Sequence, residues 1–261
     1  MAYFERTGPT TYLATDHTGG AWALDEQHIA PALGLLAHVV ETDRDERRPD
    51  SPDNPALPLA RLSYDILGTL PIGEVDTTVT VQRPGRTIEL VEATLSHGGR
   101  PAVILRAWLL QPRDTRSVAG SATPTIPSPD ETEPWDPTTV WPGGFIRTIH
   151  LRRAQTGPGR AHFWARTDEP LVADEPVSTT AAAIGVLDIA NGMTVREDPT
   201  RVAFPNLDLT AHMVRAPRPG WVGFDTTVTF GDDGIGLTSS VVHDEDGPIG
   251  TLNQILTVRP R

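Results

Sequence analysis

The 261-residue chain contains no cysteine, which excludes disulfides, thiolate nucleophiles and thiolate-ligated zinc. It contains no lysine either, so all 22 basic residues are arginine. That removes the lysine of a phosphate-binding P-loop and the lysine that forms a Schiff base with pyridoxal phosphate. No GxSxG elbow, HExxH helix or GxGxxG turn occurs, so the serine-hydrolase, zincin and Rossmann signatures are missing. No apolar run is long enough to span a bilayer, and the opening MAYFERTGPT has neither the basic head nor the apolar stretch of a signal peptide. These features predict a soluble cytoplasmic protein. A formal charge of -12 repels a phosphate backbone, so nucleic acid is not an expected partner, although a local basic patch can still hold one anionic cofactor. Chemistry in this chain falls to carboxylates, hydroxyls, amides, imidazoles and backbone dipoles.

What is present is a repeat. The pentapeptide DTTVT occurs at Asp76 to Thr80 and again at Asp225 to Thr229. Between the two copies, Gln111 to Gly144 is rich in Pro, Ser and Thr with few aliphatic residues, which predicts a linker. It is expected to tolerate shortening around Ser121 to Pro129 without unfolding either unit, and Trp135 and Trp141 are expected to pin it onto a folded unit. In the first half, Pro31 suits a first helical turn, and Leu33, Leu36, Ala37 and Val40 recur at helical spacing, predicting a helix over residues 31–41 before a charged loop. Four strands are predicted after it: Ala60 to Ile66, Glu74 to Arg83, Thr87 to Ser96 and Ala102 to Leu110.

The second half opens with strands predicted at Phe145 to Arg152 and Ala161 to Arg166. A helix of about three turns near residues 179–190 follows, capped by Ser178 and stopped at Asn191-Gly192. Strands Leu207 to Val214, Trp221 to Phe230, Gly236 to His243 and Thr251 to Val258 complete the order. Placing Asp76 on Asp225 also brings HGGRP near DEDGP, so the likeness extends past the pentapeptide. The pattern predicts two copies of one α+β unit, each a central helix wrapped by an antiparallel sheet.

The stretch from Phe204 to Val258, with its NLDLT strand, RPGW approach, Gly-rich hairpin, DEDGPIG turn and Gln-bearing last strand, resembles the C-terminal half of thioesterase-like, double-hotdog proteins related to type II acyl-CoA thioesterases. GAWALDEQHIAP, LARLSYDIL, RPGRTIELVEATL and HGGRPA agree with their N-terminal half. The resemblance implies a double hotdog with units at residues 1–112 and 144–261 joined by a Pro-rich linker at 113–143. It implies hydrolysis of an acyl-CoA substrate by a positioned water, without metal or other cofactor, and is compatible with homo-oligomers of such subunits. By carry-over it places the catalytic group on Asp208, Thr229 and Gln254.

On the residues alone, Asp208 alternates with Thr210 and His212 on the polar face of a strand and Thr229 is an ordinary strand threonine. Gln254 shares a face with Leu252, Leu256 and Val258, where a buried amide needs a partner. Relatives commonly carry His-Gly-Gly-Pro where this chain has His28-Ile29-Ala30-Pro31. That departure supports an alternative, a non-catalytic acyl-CoA or lipid-binding protein on the same scaffold. A hotdog hydratase is disfavoured, because no Asp and His have the hydratase spacing. The His243 to Gly247 run reads as a solvated hairpin rather than a metal cluster.

Overall fold

His28 caps the first helix, α1 (Ile29–Arg47), in the computed structural model, which describes residues 1–20, 22–51 and 54–261. Its Nδ1 accepts from Ala30 N at 3.2 Å, and Pro31 lies in the first turn, where a missing N–H breaks no helical bond. The helix runs beyond the expected end at residue 41. Glu41 pairs with Arg44, Asp43 with Arg47, and Arg47 reaches Glu89 on the sheet, so the charged run read as a loop continues the helix.

The strands of the first half are β1 (Phe4–Arg6), β2 (Thr11–Ala14), β3 (Leu59–Ile66), β4 (Glu74–Arg83), β5 (Ile88–His97) and β6 (Arg100–Leu110). A one-turn helix, α2 (Gly144–Arg147), then precedes β7 (Ile149–Gly157), so the strand expected from Phe145 starts later. After β8 (Arg160–Thr167) come α3 (Thr179–Ile184), α4 (Ala190–Met193), β9 (Val202–Ala203), β10 (Asp208–Met213), β11 (Val222–Phe230), β12 (Ile235–Asp244), β13 (Gly247–Thr257) and β14 (Arg259–Pro260).

Twelve strands form one sheet in the order β1-β2-β4-β5-β6-β3-β10-β13-β12-β11-β8-β7, and β9 pairs separately with β14. Read inward from either edge, the two halves have the same order: two hairpin strands, then three meandering strands, then the first strand of the large sheet to follow the helical segment. The DTTVT strands, β4 and β11, hold the same place in each half. The halves join where β3 meets β10 antiparallel, with Leu209 opposite Tyr64 and Thr210 opposite Ser63, whose hydroxyls lie 3.0 Å apart.

Helix α1 is buried on nearly all sides, because the sheet wraps one side and α3 covers another. Tyr64 donates its hydroxyl to Leu33 O at 3.0 Å, fixing the helix to β3. The two helices cross at Gly34, where an added Cβ would meet Gly185 Cα at 2.7 Å and Ala181 O at 3.0 Å. Ser178 caps α3 as expected, its Oγ accepting from Ala181 N at 3.0 Å. The single three-turn helix expected there is interrupted. At Val186 the backbone leaves helical geometry (φ -121°, ψ -2°), Leu187 to Ile189 form a tighter 3-10 turn, and only then does α4 begin.

Residues 111–143 contain neither strand nor α-helix, but the segment is not free throughout. Pro112 to Ala122 are exposed, whereas Trp164 Nε1 donates to Pro127 O at 2.8 Å and Pro129 is buried. The C-terminal end of the Ser121 to Pro129 stretch thus carries contacts that the sequence did not signal. Trp135 N donates to Leu151 O at 2.9 Å and Trp141 Nε1 to Gly192 O at 2.8 Å, so both tryptophans fasten the segment to the second half. Among the described residues no helix is long and apolar enough to cross a membrane.

Candidate active site

Strand β13 points Leu252, Gln254 and Leu256 into the core. Gln254 is fully buried, and its Nε2 donates to Asp188 Oδ1 at 2.9 Å. The same carboxylate oxygen accepts from Asn206 Nδ2 at 2.6 Å. Asp188 is itself buried, set in the 3-10 turn between α3 and α4, and this burial pushes its pKa up to about 7. The two amide hydrogen bonds oppose the shift, and the charge of nearby Asp208 adds to it. Since both donors engage Oδ1, Oδ2 is the oxygen left to accept a water.

The three residues carried over from the resemblance are not brought together. In β11, Thr229 lies opposite Leu237, which lies opposite Ile255 of β13, and all three are exposed. Gln254 lies opposite Thr238 with Val228 beyond it, and these face inward. Thr229 and Gln254 thus occupy opposite faces of one sheet, because neighbouring strand residues alternate. Asp208, at the start of β10, is half-buried, and its Oδ1 accepts from Ile255 N at 2.6 Å, tying the junction of β10 with β13. Burial raises its pKa and that hydrogen bond opposes the rise. Its side chain stays outside the cluster, and its backbone carbonyl accepts from Asn206 Nδ2 at 3.0 Å. The residues whose side chains form the cluster with Gln254, Asp188 and Asn206, were missed by sequence reasoning. The available signals were a lone carboxylate inside AAAIGVLDIANGM and the Asn two places before Asp208.

Asp188 and Asn206 line a cavity of about 410 Å³, within the usual range for small-molecule sites, while Gln254 supports the carboxylate from behind. Both halves contribute walls. Trp22, His28 and Ile29 come from the approach to α1, Ile66 to Leu70 from the end of β3 and the loop after it, Trp141 from the linker, and Asn191 and Met193 from the second half. Trp22 meets the Trp141 ring edge-on at 4.8 Å and Phe204 at 5.4 Å, closing an aromatic side.

The His28 ring lies tilted against Phe145 with centroids 4.4 Å apart, and burial pushes its pKa down to about 3, so it is neutral. With Nδ1 accepting from Ala30 N, its proton is on Nε2. Ala30 N–H is taken by this cap and Pro31 has none, which leaves the Ile29 N–H as the first-turn donor at the positive end of α1. The site thus assembles a carboxylate whose pKa is pushed up to about 7 and two amides that orient it, beside the start of α1 in a largely apolar cavity.

No group of three or more His, Asp or Glu suited to a metal ion occurs among the described residues. In the DEDGP hairpin, both oxygens of Asp244 accept from Arg215, and His243 lies between the carbonyls of Val241 and Pro124.

A comparison with curated proteins finds no match. Among solved structures, a conserved protein with a hot dog fold from Alicyclobacillus acidocaldarius is similar with a TM-score of 0.73 and 12% identity, over 97% of this chain and 95% of that one. The acyl-CoA thioesterase II TesB2 of Mycobacterium marinum gives 0.67 and 16% over 99% and 96%. The tesB protein of Mycobacterium avium subsp. paratuberculosis gives 0.65 and 17% over 98% and 96%. These likenesses show a hotdog fold. Residues 18–110 match the acyl-CoA thioesterase N-terminal domain and residues 122–258 the acyl-CoA thioesterase C-terminal domain, and with both domains matched in order the chain belongs to the acyl-CoA thioesterase family.

Proposed function

We propose that this protein hydrolyses acyl-CoA thioesters to CoA and a carboxylic acid, using a water activated by Asp188 where two hotdog units, residues 1–112 and 144–261, meet across β3 and β10. The observation that carries the proposal is the buried Asp188 carboxylate, tuned to about 7 and held by Asn206 and Gln254 at the wall of a cavity shared by both halves. In this reading Gln254 stays in the catalytic group but acts on the base rather than on the water or the thioester, and Asp188 and Asn206 take the parts that the resemblance gave to Asp208 and Thr229.

In this mechanism Asp188 Oδ2 accepts a hydrogen bond from the water and takes its proton as the water oxygen bonds to the thioester carbonyl carbon. General-base assistance of this kind is typically worth about 10²–10⁴-fold. The carbonyl oxygen becomes negative and is met by the Ile29 N–H, and loss of one such donor typically costs on the order of 10²–10³-fold. Collapse of the tetrahedral adduct breaks the carbon–sulfur bond. The proton held by Asp188 passes to the departing thiolate, or to the solvent, and restores the base. His28, neutral and turned by its cap, holds the start of α1 in place.

The test is a free-thiol assay across short, medium, long and aryl acyl-CoA thioesters. Because the chain has no cysteine, the protein adds no thiol background. Turnover should rise with pH through about 7 as Asp188 loses its proton. Tight acyl-CoA binding with no release of thiol from any of them would favour the non-catalytic binding protein and overturn the proposal.

A further inference from the structure

We propose that Arg259 and Arg261 form a phosphate-binding rim at the opening of the cavity, where they hold the phosphates of a pantetheine carrier while its thioester reaches Asp188. The identity of that ligand rests on the thioesterase reading. The geometry of the rim does not. In a chain of net charge -12, the charged residues lining this cavity among those described are Glu26, Asp188, Arg259 and Arg261. Asp188 is buried, whereas both arginines are exposed, so acid lies at depth and positive charge at the opening. Neither arginine has a carboxylate partner among the described residues, unlike Arg201 nearby, which pairs with Glu197.

The backbone that carries the two arginines is fixed. Arg259 lies opposite Ala203 in the β14–β9 pair, and Arg261 N donates to Arg201 O at 2.8 Å. Arg261 lies just past β14, its N–H bond to Arg201 O continues the β14–β9 pairing by one residue, and both arginines line the cavity. The Arg261 guanidinium also lies 5.7 Å from the centre of the Trp22 ring, which belongs to the first half, so the rim bridges the two halves. Arginine suits this task because its planar fork meets phosphate oxygens bidentately and its charge does not titrate. Glu26, the other charged residue near this lining, is half-buried and disfavours phosphate beside it.

Two carriers share this chemistry: CoA, with its diphosphate and 3′-phosphate, and the phosphopantetheine arm of a carrier protein. The experiment compares wild type with the double variant Arg259→Gln/Arg261→Gln on three substrates with the same acyl group: acyl-CoA, acyl-carrier protein and the acyl-N-acetylcysteamine thioester, which has no phosphate. CoA binding is measured separately by calorimetry at two salt concentrations. The variant should melt like wild type and hydrolyse the N-acetylcysteamine thioester unchanged. Its KM for a phosphate-bearing substrate should rise by at least about 10-fold with kcat little altered, the loss expected when charged hydrogen bonds are removed. Weaker CoA binding with a flatter salt dependence assigns the rim to CoA. A loss confined to acyl-carrier protein assigns it to that carrier instead. If wild type hydrolyses none of the substrates yet CoA binding still weakens in the variant, the rim stands and the thioesterase reading fails. Equal losses on all three substrates, or losses on none with unchanged CoA binding, overturn the rim.

Discussion

Taking a carboxylate out of water favours its protonated form, and Asp188 shows the consequence: burial raises its pKa to about 7 while Asn206 and Gln254 pull the other way. The folded protein therefore binds this proton more tightly than the unfolded chain does. Between the ordinary carboxylate value of 3.8 and about 7, stability should fall as pH rises. Relative to Asp188→Asn, the wild type should lose on the order of 1 kcal/mol per pH unit across that window and level off above it. Denaturant melts of both proteins from pH 4.5 to 8 measure this, and parallel curves would mean that Asp188 titrates normally. Gln254→Leu should leave the carboxylate with one fewer donor, moving the pH midpoint of turnover upward and lowering kcat more than it raises KM. A pH–rate profile checks this, and an unmoved midpoint would separate Gln254 from the base. Gln254 was legible in the sequence because an amide among leucines on one strand face must find a partner. Thr229 was not, because a Thr-Val alternation looks the same whichever face is buried, and the structure turns Val228 inward. Asp188 was obscured by the apolar stripe around it, which reads as an uninterrupted helix.

Among the elements, the crossing of α1 and α3 is the tightest constraint. Gly34→Ala would drive a methyl into Gly185, so the helices must separate or tilt, with an expected loss of about 1–3 kcal/mol. A denaturant midpoint unchanged by this substitution would show that the crossing is loose. The linker divides in two. Deletion of residues 114–120, all exposed, should leave the melting temperature unchanged, whereas deletion through Pro127 to Pro129 should lower it by removing the Trp164 bond to Pro127 O and the buried Pro129. Equal effects of the two deletions would contradict this division. Long alternating strands were readable close to their true ends, β4 running over Glu74–Arg83 as predicted. The short β1 and β2 were not, since three or four residues carry too little periodicity and depend on their neighbours. The added turns of α1 depend on ion pairs, which hydrophobic spacing does not register.

At the scale of the whole molecule, one sheet and one buried cluster run through both halves, so neither half has an independent core. The repeated pentapeptide made the duplication legible, because the same strand recurs at the same place in each half. The meeting of the two halves across β3 and β10 was not legible, since nothing in the local sequence names the partner of an edge strand. That junction puts the approach to α1 from one half beside Asp188 of the other. Cooperative unfolding should accordingly give a single calorimetric transition, and two separated transitions would show independent units. The central claim is that the water is activated at this junction by Asp188 rather than by Asp208, which sits two residues beyond Asn206 and ties β10 to β13. The most direct measurement compares turnover of one good acyl-CoA substrate by Asp188→Asn and Asp208→Asn in the free-thiol assay. Asp188→Asn should lower kcat by at least about 10²-fold with binding retained, while Asp208→Asn stays within a few-fold of wild type. Near-normal turnover by Asp188→Asn, or the larger loss in Asp208→Asn, would contradict the account.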